Sequence, residues 1–287
     1  MAITEMAQGE ETAMIRHTGA LPAILGIALA ILSVGATSPP KDDGFLDEAE
    51  FDVVPALQPA PRAGDPRYES DRRIFRATRR LAGTARWAMA VNDADESVPA
   101  MMRDFSCALG VTLTPRNAPK LAALVVRAGH DTAAQTRQAK MLFRRNRPFM
   151  QDRGPVCQPI AALYDPAIGR TSYDYPSGHT TWGWTWALVL SAVAPDRATA
   201  ILARGRAYGD SRYICGAHNE SAVEAGMQSA SATMAVVATK PAYRNALAEA
   251  GQEIAALRRN SASPPVGQCQ AEAAMVRTTT PVLRRPR

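Results

Sequence analysis

The chain has 287 residues and a mass of 30.8 kDa, which is enough for one large domain with a substantial hydrophobic core. Hydrophobic residues make up 46% and charged residues 21% of the sequence, which excludes a wholly disordered or collagen-like chain, and a mean hydropathy of −0.18 with one long apolar run is not typical of a protein with several membrane spans. The net charge of +6 favours an anionic ligand or surface but identifies none, because the basic residues are spread along the chain.

The long apolar run near the N-terminus has the features of a signal peptide. Arg16 precedes the apolar residues 21–32, and small residues at 33–36 end in an A-x-A-like pattern at Ala36. We therefore expect residues 1–36 to be a signal peptide that is removed on export to the periplasm. A membrane anchor is the alternative, although the run is shorter than the ~20 apolar residues that a span needs, and we expect no stable membrane insertion after cleavage.

The cysteines suggest disulfides and argue against a zinc site. Their number is even, which favours disulfides in an exported protein, and the three possible pairings stay open. None of them forms a C-x-x-C unit, so we predict neither a metal site nor another cofactor. The four are Cys107, Cys157, Cys215 and Cys269.

Hydrophobic periodicity divides the chain into four parts. After the signal peptide, residues 37–68 are rich in Pro, Asp and Gly and predict an extended, poorly packed arm. Residues 69–259 show mainly helical periodicity and predict one all-α domain, interrupted by a long irregular loop at 151–177. Residues 260–287 predict a flexible basic tail. We expect helices from Glu69 toward Asn92, around Met101 to Leu109, from about Ala118 to Arg145, from His179, from Pro195, from His218 to Val237, and from Pro241 to Arg258.

Three short segments carry side chains suited to binding phosphate. They read KMLFRRNRP from Lys140, PSGH from Pro176, and SRYICGAH from Ser211. Lys140 and Arg147 are two helical turns apart, so both can face one pocket. Arg147 and Arg212 offer forked donors that match phosphate oxygens.

The second segment adds a helix N-terminus. Ser177 and Gly178 precede a predicted helix whose first N–H groups and positive dipole end can hold an anion, and Gly178 would let the backbone approach it closely. Taken alone, the same residues are also typical of an ordinary helix cap.

In this order, the three segments resemble the signature of the class A bacterial non-specific acid phosphatases. These enzymes share a helical fold with vanadium haloperoxidases and type 2 phosphatidic acid phosphatases. The resemblance extends to DRATAILARGRAYGDSR and SAVEAG and covers about residues 69–259. It implies a single helical-bundle domain and an exported, metal-independent acid phosphatase that hydrolyses small phosphomonoesters. It also implies a homo-oligomer, and no nucleic-acid partner is expected.

The resemblance also assigns roles to individual residues. His218 would attack phosphorus to give a phosphohistidine, and His179 would protonate the leaving group and then activate the hydrolytic water. The phosphate, as substrate group or inorganic product, would be bound by Lys140, Arg147, Ser177, Gly178 and Arg212.

One position departs from the family pattern. The family has an aspartate four residues after the nucleophilic histidine, where it fixes the ring tautomer, and this chain has Ala222. A backbone carbonyl or an acid from elsewhere could orient His218 instead, and Glu220 and Glu224 are not simple substitutes. If nothing does, a phosphate-binding pseudoenzyme is the alternative. A vanadate-dependent haloperoxidase is a further one, because the same cradle would bind vanadate.

Overall fold

The computed structural model describes residues 44–47, 49–260 and 263–278, so the predicted signal peptide lies outside the described residues. The described part has nine α-helices and one sheet of two very short antiparallel strands, which confirms the all-α fold class. The helices are α1 (Pro66–Thr78), α2 (Ala85–Asn92), α3 (Val98–Leu109), α4 (Pro119–Phe143), α5 (Gly178–Val193), α6 (Ala198–Cys215), α7 (Glu220–Val237), α8 (Pro241–Asn260) and α9 (Val266–Thr278), and the strands are β1 (Tyr164–Asp165) and β2 (Arg170–Thr171).

The described part of the N-terminal arm packs against α4. The backbone N–H of Phe45 donates to the carboxylate of Asp131 at 2.7 Å, and that of Val53 donates to the side-chain oxygen of Gln135 at 2.9 Å. Val53 is fully buried. The prediction of a poorly packed arm is therefore wrong for these residues, because polar side chains of α4 bind the backbone of the arm.

Two predicted helices end earlier than their hydrophobic pattern suggested. The segment from Glu69 toward Asn92 is broken at Gly83, which has a φ of +81°, and Thr84 then caps α2. The long helix α4 ends at Phe143, where Arg144 adopts a left-handed φ of +50°. The chain therefore leaves the helix before the predicted end near Arg145.

The core is built around α5, which packs against α4, α6 and α7. Trp186 on α5 is fully buried and stacks on Phe105 of α3, with ring centroids 6.4 Å apart. Helices α5 and α6 approach closely through glycines: a Cβ at Gly183 would lie 2.1 Å from the Tyr208 ring, and one at Gly205 would lie 2.5 Å from the Cβ of Ala187. This close approach places the second and third sequence segments next to each other.

The C-terminal region is more ordered than predicted. Helix α9 occupies much of the expected flexible tail, and Cys269 on it is bonded to Cys107 on α3. The second disulfide joins Cys157, in the long loop, to Cys215 at the end of α6. The tail prediction is therefore wrong for residues 266–278, because a covalent link ties them to the core.

None of the described helices combines the length and the apolar composition that crossing a bilayer requires.

The space around two glycines predicts opposite effects of their substitution by alanine, one at the contact between α5 and α6 and one on α8. Gly205→Ala should lower the free energy of unfolding by about 1–3 kcal/mol, because the new methyl group overlaps a rigid neighbour. Gly251→Ala on α8, where the added Cβ meets open space, should raise it by about 0.5–1 kcal/mol through helix propensity. Urea denaturation with intact disulfides measures both, and a Gly205→Ala protein as stable as the parent would contradict the packing.

Candidate active site

The three sequence segments meet at one cleft of about 770 Å³, a size typical of small-molecule sites. The cleft is lined by side chains from α4, from the loop after it, from the start of α5, from α6 and from the turn before α7. Of the seven predicted site residues, six line the cleft: Lys140, Arg147, Gly178, His179, Arg212 and His218.

Ser177 is the exception, because the structure uses it as a helix cap. Its hydroxyl oxygen accepts hydrogen bonds from the backbone N–H of Thr180 at 3.2 Å and from the hydroxyl of the same residue at 2.9 Å. It is fully buried and does not line the cleft. Its effect on an anion would act through α5, where the N–H groups of Gly178 and His179 precede the first helical hydrogen bond.

Gly178 lies directly beside Lys140. A Cβ at this position would lie 3.5 Å from the Cε of Lys140, which is an ordinary contact. Glycine is therefore not required by packing alone, and a side chain here would fill space inside the cleft.

Lys140 is a poorly solvated cation. Its ammonium group donates to the carbonyl oxygen of Tyr173. Burial, followed by repulsion from Arg147, lowers its pKa to about 7. An anion in the cleft would restore the charge that burial disfavours.

Arg147 lies four residues beyond the end of α4, so the loop positions it. Both side chains line the cleft, although Arg147 lies beyond the helix and not two turns along it. Its guanidinium donates to Ser172 and, at 2.8 Å, to the carbonyl of Ala217. The same nitrogen lies 3.1 Å from Nε2 of His218. Burial lowers the pKa of Arg147 to about 10.

Arg212 supplies donors that the described residues leave unpaired. It is almost fully buried, and one terminal nitrogen donates to Oε1 of Gln158. Its Nε and Nη1 are buried without a hydrogen-bond partner in the described part of the chain. Unpaired buried donors are costly, and an oxyanion in the cleft would satisfy them.

The turn after α6 fixes the position of His218. The helix ends at Cys215, and Gly216 takes a left-handed φ of +83°. The backbone N–H of His218 then donates to the carbonyl of Arg212 at 3.2 Å, as in a helix C-cap. The six-residue spacing of the third segment is therefore the geometry of a helix end, which places both side chains in one cleft.

The two ring nitrogens of His218 have different partners: Nδ1 faces acceptors, and Nε2 faces a donor. Its Nδ1 lies 2.8 Å from the carbonyl oxygen and 3.1 Å from a carboxylate oxygen of Asp174. Because these groups only accept, Nδ1 carries the proton, and Nε2 keeps a lone pair that faces Arg147. Burial, followed by the charges of Arg147, Lys140 and Arg212, lowers the pKa of His218 well below its usual value, so the ring is neutral at neutral pH.

His179 lies between two acceptors. Its Nε2 is 2.6 Å from the backbone carbonyl of the buried Asp93, and its Nδ1 is 2.9 Å from the carboxylate of Glu96. Burial and the charge of Arg212 lower the pKa of His179, whereas Glu96 opposes this shift. The ring also stacks on Tyr208, with centroids 4.9 Å apart. Since Glu96 lines the cleft, Nδ1 is the nitrogen on its cleft side.

Ser211, the first residue of the third segment, does not line the cleft but binds a residue that contacts His179. Its hydroxyl donates to the carboxylate of Asp93 at 2.6 Å and accepts from Arg86 at 2.9 Å. Arg204 binds the same carboxylate at 2.6 Å. This buried network fixes the backbone carbonyl that binds His179.

Sequence reasoning missed several residues that contact the predicted ones: Glu96, Gln158, Ser172, Asp174 and Asn219. Most belong to loops without a periodic pattern, so spacing could not place them. Asp174 had a weak signal, since it lies two residues before the PSGH segment.

Comparison with known proteins gives a consistent result. Residues 121–246 match the PAP2 superfamily. The chain is 36% identical over 240 residues to an acid phosphatase of Zymomonas mobilis, which covers 84% of this chain and 89% of the relative. It is 36% identical over 202 residues to a non-specific acid phosphatase of Salmonella typhimurium, covering 69% and 78%. It is 32% identical over 241 residues to one of Providencia stuartii, covering 81% and 96%.

The similarity to acid phosphatases is consistent with the structure, in which the three sequence segments meet at one cleft lined by cationic side chains. The chain therefore belongs to the class A non-specific acid phosphatases of the PAP2 superfamily, an enzyme family of phosphoric monoester hydrolases.

Proposed function

We propose that this protein is an exported, metal-independent acid phosphatase that hydrolyses small phosphomonoesters through a phosphohistidine intermediate. The observation that carries the proposal is the state of His218, which is buried and neutral and whose Nε2 lone pair faces a cleft containing three cations. A neutral imidazole nitrogen is a nucleophile, and the cations can hold the group that it attacks.

Phosphate binding would use the cations that line the cleft. Arg212 has two unpaired buried donors, and Lys140 and Arg147 line the same cleft. The N-terminus of α5 adds N–H groups and its dipole. Together these groups would neutralise the charge that spreads over the three non-bridging oxygens during phosphoryl transfer.

In the first chemical step, the Nε2 lone pair of His218 would form a bond to phosphorus while the bond to the leaving oxygen breaks. The leaving oxygen takes a proton from Nδ1 of His179, after the leaving group displaces Glu96 from that nitrogen. The phosphorylated ring keeps its proton on Nδ1 and carries a positive charge.

In the second step, His179 would take a proton from a water molecule that attacks phosphorus. The bond between nitrogen and phosphorus breaks, and its electron pair returns to Nε2 of His218. Inorganic phosphate leaves, and both histidines regain their starting states.

The residues of the cleft support a mechanism without a metal. Within the described residues, no group of three or more His, Cys, Asp or Glu side chains is placed to share a metal ion. The positive charge that a metal would supply is present instead on Lys140, Arg147 and Arg212.

The predicted signal peptide and the disulfides support export. Two disulfides account for all four cysteines, and disulfides persist in oxidising compartments such as the bacterial periplasm.

The decisive test is hydrolysis of p-nitrophenyl phosphate by the mature protein from about pH 4 to 8, with and without EDTA. We expect turnover that survives EDTA, and His218→Ala should abolish it because no nucleophile remains. Trapping of phosphate on the parent protein, and not on His218→Ala, would identify the intermediate. If the parent protein binds phosphate without turnover, the proposal fails and a binding role replaces it.

The contact between Glu96 and His179 predicts a change in pH dependence. Glu96→Gln removes a charge that raises the pKa of His179, so the alkaline limb of kcat should move to lower pH. His179→Ala should lower kcat by about 100-fold or more for alkyl phosphates, which have poor leaving groups.

The control is a second substrate whose leaving group needs no proton. p-Nitrophenolate leaves without protonation, so both variants should affect p-nitrophenyl phosphate less than alkyl phosphates. Equal losses on the two substrates would argue against His179 as the acid.

The lowered pKa of Lys140 predicts proton uptake when phosphate binds. At about pH 8, a lysine with a pKa of about 7 is mostly neutral, and bound phosphate should make it take up close to one proton. Lys140→Met should remove this uptake and weaken binding by about tenfold or more. Titration calorimetry in two buffers of different ionisation enthalpy measures it. Lys120→Met, at an exposed position on α4, is the matched control and should leave the uptake unchanged.

A further inference from the structure

The first turn of α7 brings no carboxylate to His218. Ala222 is fully buried there and packs with Tyr175 and Ala225. Two acids lie on this part of the helix, Glu220 and Glu224. Glu224 pairs with Arg206 at 2.8 Å, and Glu220 is not among the described hydrogen-bond or ion-pair partners of the His218 ring. The helix that follows the nucleophile therefore supplies no charged partner for its ring in this chain.

A carboxylate from another segment occupies that role. Asp174 lies in the loop before α5 and is fully buried. Its Oδ1 lies 3.1 Å from Nδ1 of His218 and accepts the backbone N–H of Asn219 at 3.1 Å, and its Oδ2 accepts the side-chain amide of Asn219 at 2.8 Å. Its backbone N–H donates to the carbonyl of Arg145 at 2.8 Å. Backbone and side chain are thus both held, so the acceptor cannot easily turn away from the ring.

The charge of this group matters more than its hydrogen bond. The backbone carbonyl of the same residue already accepts from Nδ1 at 2.8 Å and would keep the tautomer. In the phosphorylated state, however, the ring is a buried cation beside Lys140, Arg147 and Arg212. A buried negative charge in contact with it offsets that repulsion, and the effect is large because the site excludes water.

We propose that Asp174 is the positioning carboxylate of this enzyme, acting from the loop before α5 on His218. The inference rests on the proposed function and names the residue that makes it possible without an acid at position 222. Asp174 does not touch the substrate; it orients the ring and stabilises the positive charge that forms when Nε2 bonds to phosphorus.

The test compares variants that remove the negative charge of Asp174 with a variant that restores a carboxylate at position 222. Asp174→Asn keeps the shape of the side chain and removes its charge, and we expect kcat to fall by about 100-fold or more with KM changed little. Asp174→Ala should behave similarly. Adding Ala222→Asp to Asp174→Ala should recover kcat by about tenfold or more, because position 222 lies in the first turn of α7, three residues after Asn219.

Ala222→Asp alone should lower kcat, because two carboxylates would then compete at one histidine. The matched control is Asp71→Asn. Asp71 is equally buried and binds Arg145 at 2.8 Å, and Arg145 also lies 3.6 Å from Oδ2 of Asp174. Its loss therefore disturbs the network around Asp174 but leaves the charge of Asp174 and its contact with His218 in place. We expect a lower unfolding midpoint and a kcat per folded molecule within about twofold of the parent.

Two results would overturn the proposal. One is a kcat for Asp174→Asn within about threefold of the parent; the other is a loss that matches the decrease in folded protein and is reproduced by Asp71→Asn. Failure of the proposed function would look different, since the parent protein would then lack turnover or His218→Ala would retain it.

Discussion

Two buried guanidinium groups and the half-buried Lys140 line the same cleft as one neutral histidine, and the rest of the site depends on this arrangement. Burial lowers the pKa of Lys140 and of Arg147, and burial followed by the charges of Arg147, Lys140 and Arg212 lowers the pKa of His218. Such an arrangement is unfavourable in the free protein. In the proposed mechanism a phosphate group would make it favourable, so binding and catalysis would draw on the same electrostatic imbalance.

The surrounding scaffold holds the cations with neutral acceptors. Carbonyl oxygens of Tyr173, Ala217 and Ser172 take their hydrogen bonds, and the amide of Gln158 accepts from Arg212. Neutral acceptors orient a cation without cancelling its charge. By contrast, the buried Arg204 beside the cleft is paired with the carboxylate of Asp93.

The two histidines differ because their surroundings differ. His218 has a buried acid at Nδ1, so its lone pair is on Nε2, where it faces the guanidinium of Arg147. His179 has acceptors at both nitrogens, and Glu96 at Nδ1 opposes the lowering of its pKa by burial and by Arg212. The opposite demands on the two rings are met by different neighbours on different segments.

The sequence alone determined the helical class and most helix positions, and six of the seven site residues that it predicted line the cleft, because helical periodicity and the local spacing of the three segments are local properties. Local spacing left open whether Ser177 lines the cleft or only caps the helix, and it did not show that a loop carries Arg147. Local spacing also did not predict that the arm and α9 pack against the domain, because their contacts are with residues far away in the chain.

Only the tertiary structure decided the disulfide pairing and the partner of His218. Asp174 and His218 are 44 residues apart, and no periodic pattern links a loop before one helix to the turn before another. The close packing of α5 on α6 brings these two segments together. When the local sequence pattern lacks its acid, a distant segment can therefore supply one. The histidine ring responds to the charge beside it and not to the order of residues along the chain.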